Sequence, residues 1–150
     1  VVNDLVKSVF DFFNEGSELI DLSLELPENQ IFVFADKNHL IQVLNNLIKN
    51  ATQAIPDHRR GNIIVSLHQR DQTAIIKVKD NGTGIAEDKW NKVFVPNFTT
   101  KNSGTGLGLA ISKNIIESVD GKIYFESIVD EGTDFFVELP IVEIRPMEEV

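Results

Sequence analysis

The sequence predicts an α+β fold, a two-layer sandwich in which a mixed, mostly antiparallel sheet is covered on one face by about three helices. Two segments repeat apolar residues every three to four positions, as amphipathic helices do. The segments at 62–68 and 73–80 alternate apolar and polar residues across a short turn, as paired strands do.

The elements follow in order. Residues 1–15 read as a helix ending near Gly16, and LSLEL (22–26) and IFVFA (31–35) read as short strands flanking a turn at 27–29, which predicts a hairpin. From Asp36, a residue type that caps helices, apolar residues recur at Leu40, Leu44, Leu47, Ala51 and Ile55 until Pro56 stops the pattern. NIIVSLH presents Ile63, Val65 and Leu67 to one face, and TAIIKVKD presents Ala74, Ile76 and Val78, with the turn at 69–72 between them. Residues 81–104 hold no sustained period and are long for a connection, which marks a functional or disordered segment. A second strongly periodic helix, the third in chain order, is expected over about 105–119, with Leu107, Ile111, Ile115 and Val119 in line. KIYFESI and DFFVELP close the chain as strands.

Composition narrows the function. At 150 residues and 42% hydrophobic, residues 1–150 fit one domain able to bury a core. Fourteen basic against 23 acidic residues give a net charge of -9, which argues against nucleic acid or an anionic membrane as partner. An anionic ligand then needs local cations or a metal. The absence of cysteine removes disulfides and thiolate metal sites and fits a reducing, cytoplasmic setting. His39, His58 and His68 lack paired metal-ligand spacing. No apolar run is long enough to cross a bilayer and the start lacks a signal-peptide pattern, although a longer parent chain anchored in a membrane remains compatible.

Three constellations carry chemistry. In NNLIKNATQ (45–53), Asn46, Asn50 and Gln53 fall about one helical turn apart with Lys49 beside them, although asparagine works against a helix interior. A solvated face explains an isolated asparagine. The sharper reading is a magnesium site, because an amide oxygen ligates a hard cation without adding negative charge beside a triphosphate. In DNGTG (80–84), strand parity places Asp80 on the buried face, where a carboxylate needs a partner and can accept from an exocyclic amine such as adenine's. Asn81-Gly82 alone signals a hairpin turn, but IAEDKWNKVF beyond it does not alternate like a returning strand. In NSGTGLGLA (102–110), Gly104, Gly106 and Gly108 precede a helix, where bare amides and the helix dipole suit phosphate. Lys101 adds a cation, and Ser103 or Thr105 suits a cap. The GxGxG spacing is neither the dinucleotide fingerprint nor a P-loop, so a flexible surface loop is the competing explanation. Phe94 and Phe98, in KVFVPNFTTK (92–101), taken alone would pin a loop.

In this order NNLIKNA, DNGTG, VFVPNFTTK and GTGLGLA resemble the N box, the two glycine boxes and the F box of the ATP-binding catalytic domain of bacterial sensor histidine kinases. The resemblance covers roughly residues 20–140, and the loop VPNFTTK looks like the nitrogen-regulation-like branch. It implies the GHKL (Bergerat) ATPase fold, shared with gyrase, mismatch-repair and heat-shock chaperone ATPases. It also implies Asn50 as magnesium ligand, Asn46 one turn earlier near the phosphates, and Asp80 as adenine-amine acceptor, with Gly82 and Gly84 admitting the base. Thr133, in the EGTDF turn, would support the adenine site. Lys101, Gly104, Thr105, Gly106, Leu107 and Gly108 would line the phosphate end of a lid over about 91–105, variable without nucleotide. Phe94 and Phe98 would hold that lid. Gln53 stands where many relatives carry a basic phosphate contact.

The same resemblance implies ATP and Mg2+ as cofactors and transfer of the γ-phosphate to a histidine on a separate helical-hairpin domain of a homodimeric parent, with a response regulator downstream. None of His39, His58 or His68 is followed by an acidic residue on a suitable helix, so the phosphoacceptor domain is expected to be missing here. Asn46 stands where the hydrolytic relatives and anti-sigma serine kinases carry a glutamate, and a neutral amide is no general base. A same-fold ATPase or serine kinase is therefore the alternative enzyme, and a non-catalytic nucleotide-binding module the alternative outside catalysis.

Overall fold

Helix α1 (Val2–Asn14) opens the fold in a computed structural model whose described residues are 1–14, 19–96 and 108–143. After it come β1 (Ile20–Glu25), α2 (Lys37–Ala54), β2 (Gly61–Arg70), β3 (Thr73–Asp80) and a short 3-10 helix, η1 (Glu87–Lys92). Helix α3 (Gly108–Ser118), β4 (Lys122–Ile128) and β5 (Gly132–Pro140) complete the order. The five strands form one sheet in the order β1-β2-β3-β5-β4, parallel only between β1 and β2. The mixed, mostly antiparallel α+β architecture expected from the sequence is the one observed.

Local chemistry explains the long helix. Asp36 caps α2 by accepting from the amides of Asn38 (2.8 Å) and His39 (3.2 Å), and such a cap contributes about 1 kcal/mol. Leu40, Leu44, Leu47 and Ala51, the stripe read from spacing, are all buried together with Val43 and Ile48. That stripe packs on the sheet face formed by Ile63, Val65 and Leu67 of β2, Ala74, Ile76 and Val78 of β3, and Phe135, Val137 and Leu139 of β5. α1 contributes Val2, Leu5, Val6, Val9 and Phe10, and α3 contributes Ile116, to the same core.

One expected element is corrected. LSLEL and IFVFA do not form a hairpin: β1 pairs with β2, from Ile20 opposite Gly61 to Glu25 opposite Ser66, and residues 31–35 make only an isolated bridge between Val33 and Ile141. The cause lies in α1. Its first turn claims the backbone of Ile31, whose carbonyl accepts from Val2 N (2.8 Å) and whose amide donates to Asn3 Oδ1 (2.8 Å). Asp21 and Arg60 then clamp the parallel pair through two bonds of 2.8 and 2.9 Å, which hold the Asp21 carboxyl below its usual range.

The opposite sheet face carries a polar and aromatic array. Tyr124 stacks on Phe136 at 4.9 Å with the planes 15° apart, and its hydroxyl donates to Glu138. Burial first, and then the Glu138 carboxylate, push the Tyr124 phenol up to about 12.

Candidate functional site

The site grows from the end of β3. Strand register places Asp80 opposite Ile63 on the core side, and it is 5% exposed. Its Oδ1 accepts from the amides of Gly82 (2.9 Å) and Thr133 (3.2 Å), so the carboxylate is held by the loop it opens and by β5. A buried carboxylate fixed in this way is the complement of a ligand amine and disfavours a carbonyl in the same place.

DNGTG is not a hairpin turn. The chain leaves the sheet at Asp80 and docks on the last turn of α2, where Thr83 N donates to Ala54 O at 3.0 Å. Gly82 is needed there because a Cβ would come within 2.5 Å of that same carbonyl. Gly84 is needed for its left-handed φ of 73° and for its approach to the backbone of Ile128. Arg59 locks the loop from behind, its guanidinium donating to the carbonyls of Asn81 (2.5 Å) and Gly82 (3.0 Å). Asn81 adds two bonds to the strand start, accepting from Asn62 N and donating to Arg60 O. Protein contacts therefore account for both glycines.

Helix α2 organises the rest as a column. Ala54, against the DNGTG loop, lies one turn beyond half-buried Asn50, which lies one turn beyond half-buried Asn46. Asn46 Nδ2 donates to Gly108 O and to Ser112 Oγ, both at 3.2 Å, and Ser112 also donates to Gly108 O at 2.8 Å. Asn46 thus fastens the first turn of α3, the helix entered from the glycine-rich stretch. From Asn46 to Ala54 the helix rises about 12 Å, enough for an extended nucleoside polyphosphate to lie along it between the two glycine segments. The oxygen of Asn50, midway, is the type of ligand that suits magnesium alongside phosphate oxygens and water.

Thr133 is 4% exposed, and its hydroxyl lies 2.8 Å from that of Ser127, its register partner on β4. Phe94 packs its ring against Phe125 (6.1 Å) and Phe135 (6.4 Å), while Lys113 sits over it at 5.6 Å. Trp90 meets Phe125 edge-on at 6.1 Å and donates its indole N–H to Ile85 O at 2.9 Å. These rings fix the chain from Ile85 to Phe94 against β4 and β5. Phe98, Lys101, Ser103, Gly104, Thr105, Gly106 and Leu107 lie outside the described residues, as does most of the expected lid.

The structure thus gathers Asn46, Asn50, Asp80, Gly82, Gly84, Gly108 and Thr133 around one end of the sheet and the polar flank of α2. Sequence reasoning missed Arg59 and Ser127. Ser127 carried a signal, as the polar residue continuing the Ile123 and Phe125 face of KIYFESI, whereas Arg59 in a loop carried none.

Comparison with known proteins agrees with this geometry. Residues 35–143 match the family described as histidine kinase-, DNA gyrase B-, and HSP90-like ATPase. The chain is 37% identical over 143 residues to sporulation kinase E of Bacillus subtilis, covering 93% of this chain and 19% of that protein. To sensor histidine kinase ZraS of Salmonella typhi it is 38% identical over 144 residues, covering 94% of this chain and 30% of that protein. It therefore spans about a fifth to a third of the length of these curated relatives. The nucleotide-free catalytic domain of histidine kinase ThkA superposes with a TM-score of 0.82 at 35% identity, covering 92% of this chain and 91% of that one. The chain accordingly belongs to the histidine kinase-, gyrase B- and HSP90-like ATPase family, as a catalytic domain of the sensor histidine kinase type.

Proposed function

We propose that this chain binds Mg-ATP and serves transfer of its γ-phosphate to a histidine on a separate helical-hairpin domain, the work of the catalytic domain in a two-component sensor kinase. The observation that carries the reading is the column on α2, with the buried acceptor Asp80 beyond one end and the entry to α3 at the other. Asp80 accepts the adenine amine, and the DNGTG backbone, braced by Arg59, walls the base. Asn50 holds the magnesium, whose charge neutralises phosphate oxygens when bound. Lys101, Gly104, Thr105, Gly106, Leu107 and Gly108 supply the cation and bare amides that follow the polyphosphate. Asn46 keeps α3 in register beside that tail.

Catalysis on this scheme is positioning and charge neutralisation rather than proton abstraction. Asn46 has no basic nitrogen, and an imidazole nucleophile has less need of a base than a hydroxyl or water. The ThkA relative has been crystallised in complex with response regulator TrrA, at a TM-score of 0.78 and 32% identity, which supports a response regulator as the downstream partner of the parent of this chain.

The test mixes this chain with candidate helical-hairpin domains and γ-labelled ATP. An acid-labile, base-stable phosphoryl adduct on the hairpin is expected. Steady release of free phosphate with no partner present would establish a hydrolase of the same fold, and ATP binding without any adduct would establish a non-catalytic nucleotide module.

A further inference from the structure

We infer that Ser112 is a positioning residue for the magnesium end of the site, fixing the side-chain amide of Asn46 so that its Oδ1 is presented as an acceptor beside Asn50. This inference rests on the Mg-ATP reading proposed above and extends it to a side chain on α3.

The direction of each bond around Ser112 follows from the one atom that can only accept. Gly108 O is a carbonyl oxygen, and the Ser112 hydroxyl gives its single proton to it at 2.8 Å. With that proton spent, Ser112 Oγ meets Asn46 as an acceptor and takes an N–H from Nδ2 at 3.2 Å. The other Nδ2 proton goes to Gly108 O, also at 3.2 Å. Both protons of the Asn46 amide are thereby committed to α3. Turning the amide over would set Oδ1 against the Gly108 carbonyl, two acceptors face to face, and would take the N–H away from Ser112 Oγ. Ser112 is 0% exposed, so water is not at hand to replace that donor.

Asn46 Oδ1 is the remaining polar atom of the cluster. It accepts from no group among the described residues, and none of their buried side-chain oxygens is left unsatisfied, so this oxygen is open to solvent. Asn50 follows four residues later on the same flank of α2. Magnesium held by one or two protein ligands and phosphate oxygens keeps several waters, whose protons need acceptors. A fixed, neutral oxygen one turn from Asn50 suits that task, whereas an NH2 group in its place would oppose both the cation and its waters. Ser112 touches neither metal nor nucleotide in this arrangement and acts through Asn46.

The experiment measures calorimetric affinities for ADP, with magnesium and with EDTA in its place, for the wild type, Ser112→Ala and Ser112→Thr. Ser112→Ala is expected to weaken binding roughly three- to tenfold in magnesium, the value of one hydrogen bond, and to leave metal-free ADP unchanged, while Ser112→Thr, which keeps the hydroxyl, retains the wild-type affinity. Equal weakening under both conditions would mean that Ser112 only builds the first turn of α3, and no weakening in magnesium would mean that it does not act at all. A loss in Ser112→Thr equal to that in Ser112→Ala would mean that the hydroxyl is not the group at work. Each of these three results overturns the inference and leaves the Mg-ATP reading standing. A wild-type protein that takes up ADP equally with and without magnesium overturns the metal site, and one that takes up no ADP overturns the nucleotide reading, and this inference falls with either. If Ser112→Ala does not fold, Ser112→Cys, close in size and a much weaker hydrogen-bonding group, carries the same comparison.

Discussion

Asp80 answers two demands with one side chain: its Oδ1 fastens Gly82 and Thr133, and the carboxylate supplies an acceptor in a place shielded from water. The two demands separate on substitution. Asparagine keeps a carbonyl oxygen for the two amides but brings an NH2 group that opposes a ligand amine. Asp80→Asn should therefore lose the preference for ATP over GTP, read by competition binding, while urea unfolding shows a loss of only about 1 kcal/mol. ATP preference surviving in that variant would remove Asp80 from base recognition. Residues such as Asp80 were legible in the sequence because strand parity is strict: Ala74, Ile76 and Val78 fix the side on which Asp80 must fall. Arg59 was not, because a guanidinium bound to loop carbonyls obeys no periodicity and its partners stand 22 and 23 residues away.

Among the elements, α2 carries the most information. Its apolar stripe made it visible in the sequence, and its polar flank, costly in helix propensity, marked the candidate site. The contact of Asn46 with α3 was hidden, since the two partners are 62 and 66 residues further along the chain. Asn46→Ala should loosen that junction, and hydrogen exchange should find the first amides of α3 opening about fivefold more readily, the equivalent of ~1 kcal/mol, with β2 and β3 unchanged. The hairpin expected over 22–35 failed for a related reason. Alternation identifies a strand but not its neighbour, and the backbone bonds of Ile31 go to α1. On the β4–β5 ribbon, Tyr124 is the chain's one tyrosine, so its titration is unambiguous. Its phenol is raised to about 12 in the folded protein, so the neutral form is favoured by folding. The linked stability is fully present below the unfolded value of about 10 and is lost as pH rises through the folded one. Phenolate absorbance should develop near pH 12 in native protein and near pH ~10 in denaturant; coincident curves would deny the Glu138 contact.

At the scale of the molecule, one helix layer lies on one sheet face, and the fold class was legible because both periodicities were strong on either side of residue 56. The order of the strands was not, since β5 enters between β3 and β4 and only side-chain packing decides that insertion. Leu47, 0% exposed at the centre of the layer, tests how tightly the whole depends on it. Leu47→Ala should cost ~2–5 kcal/mol by urea unfolding, a large part of a typical domain's stability. A smaller loss would show that the interior can collapse around the void.

Trp90 is the sole indole of the chain, and it sits on η1, edge-on to Phe125 of β4. Nature has in effect installed a single indole fluorophore in the segment that follows the DNGTG loop. Its emission colour and quenching by iodide can follow events in that segment in real time, with no dye attached and no second indole to separate.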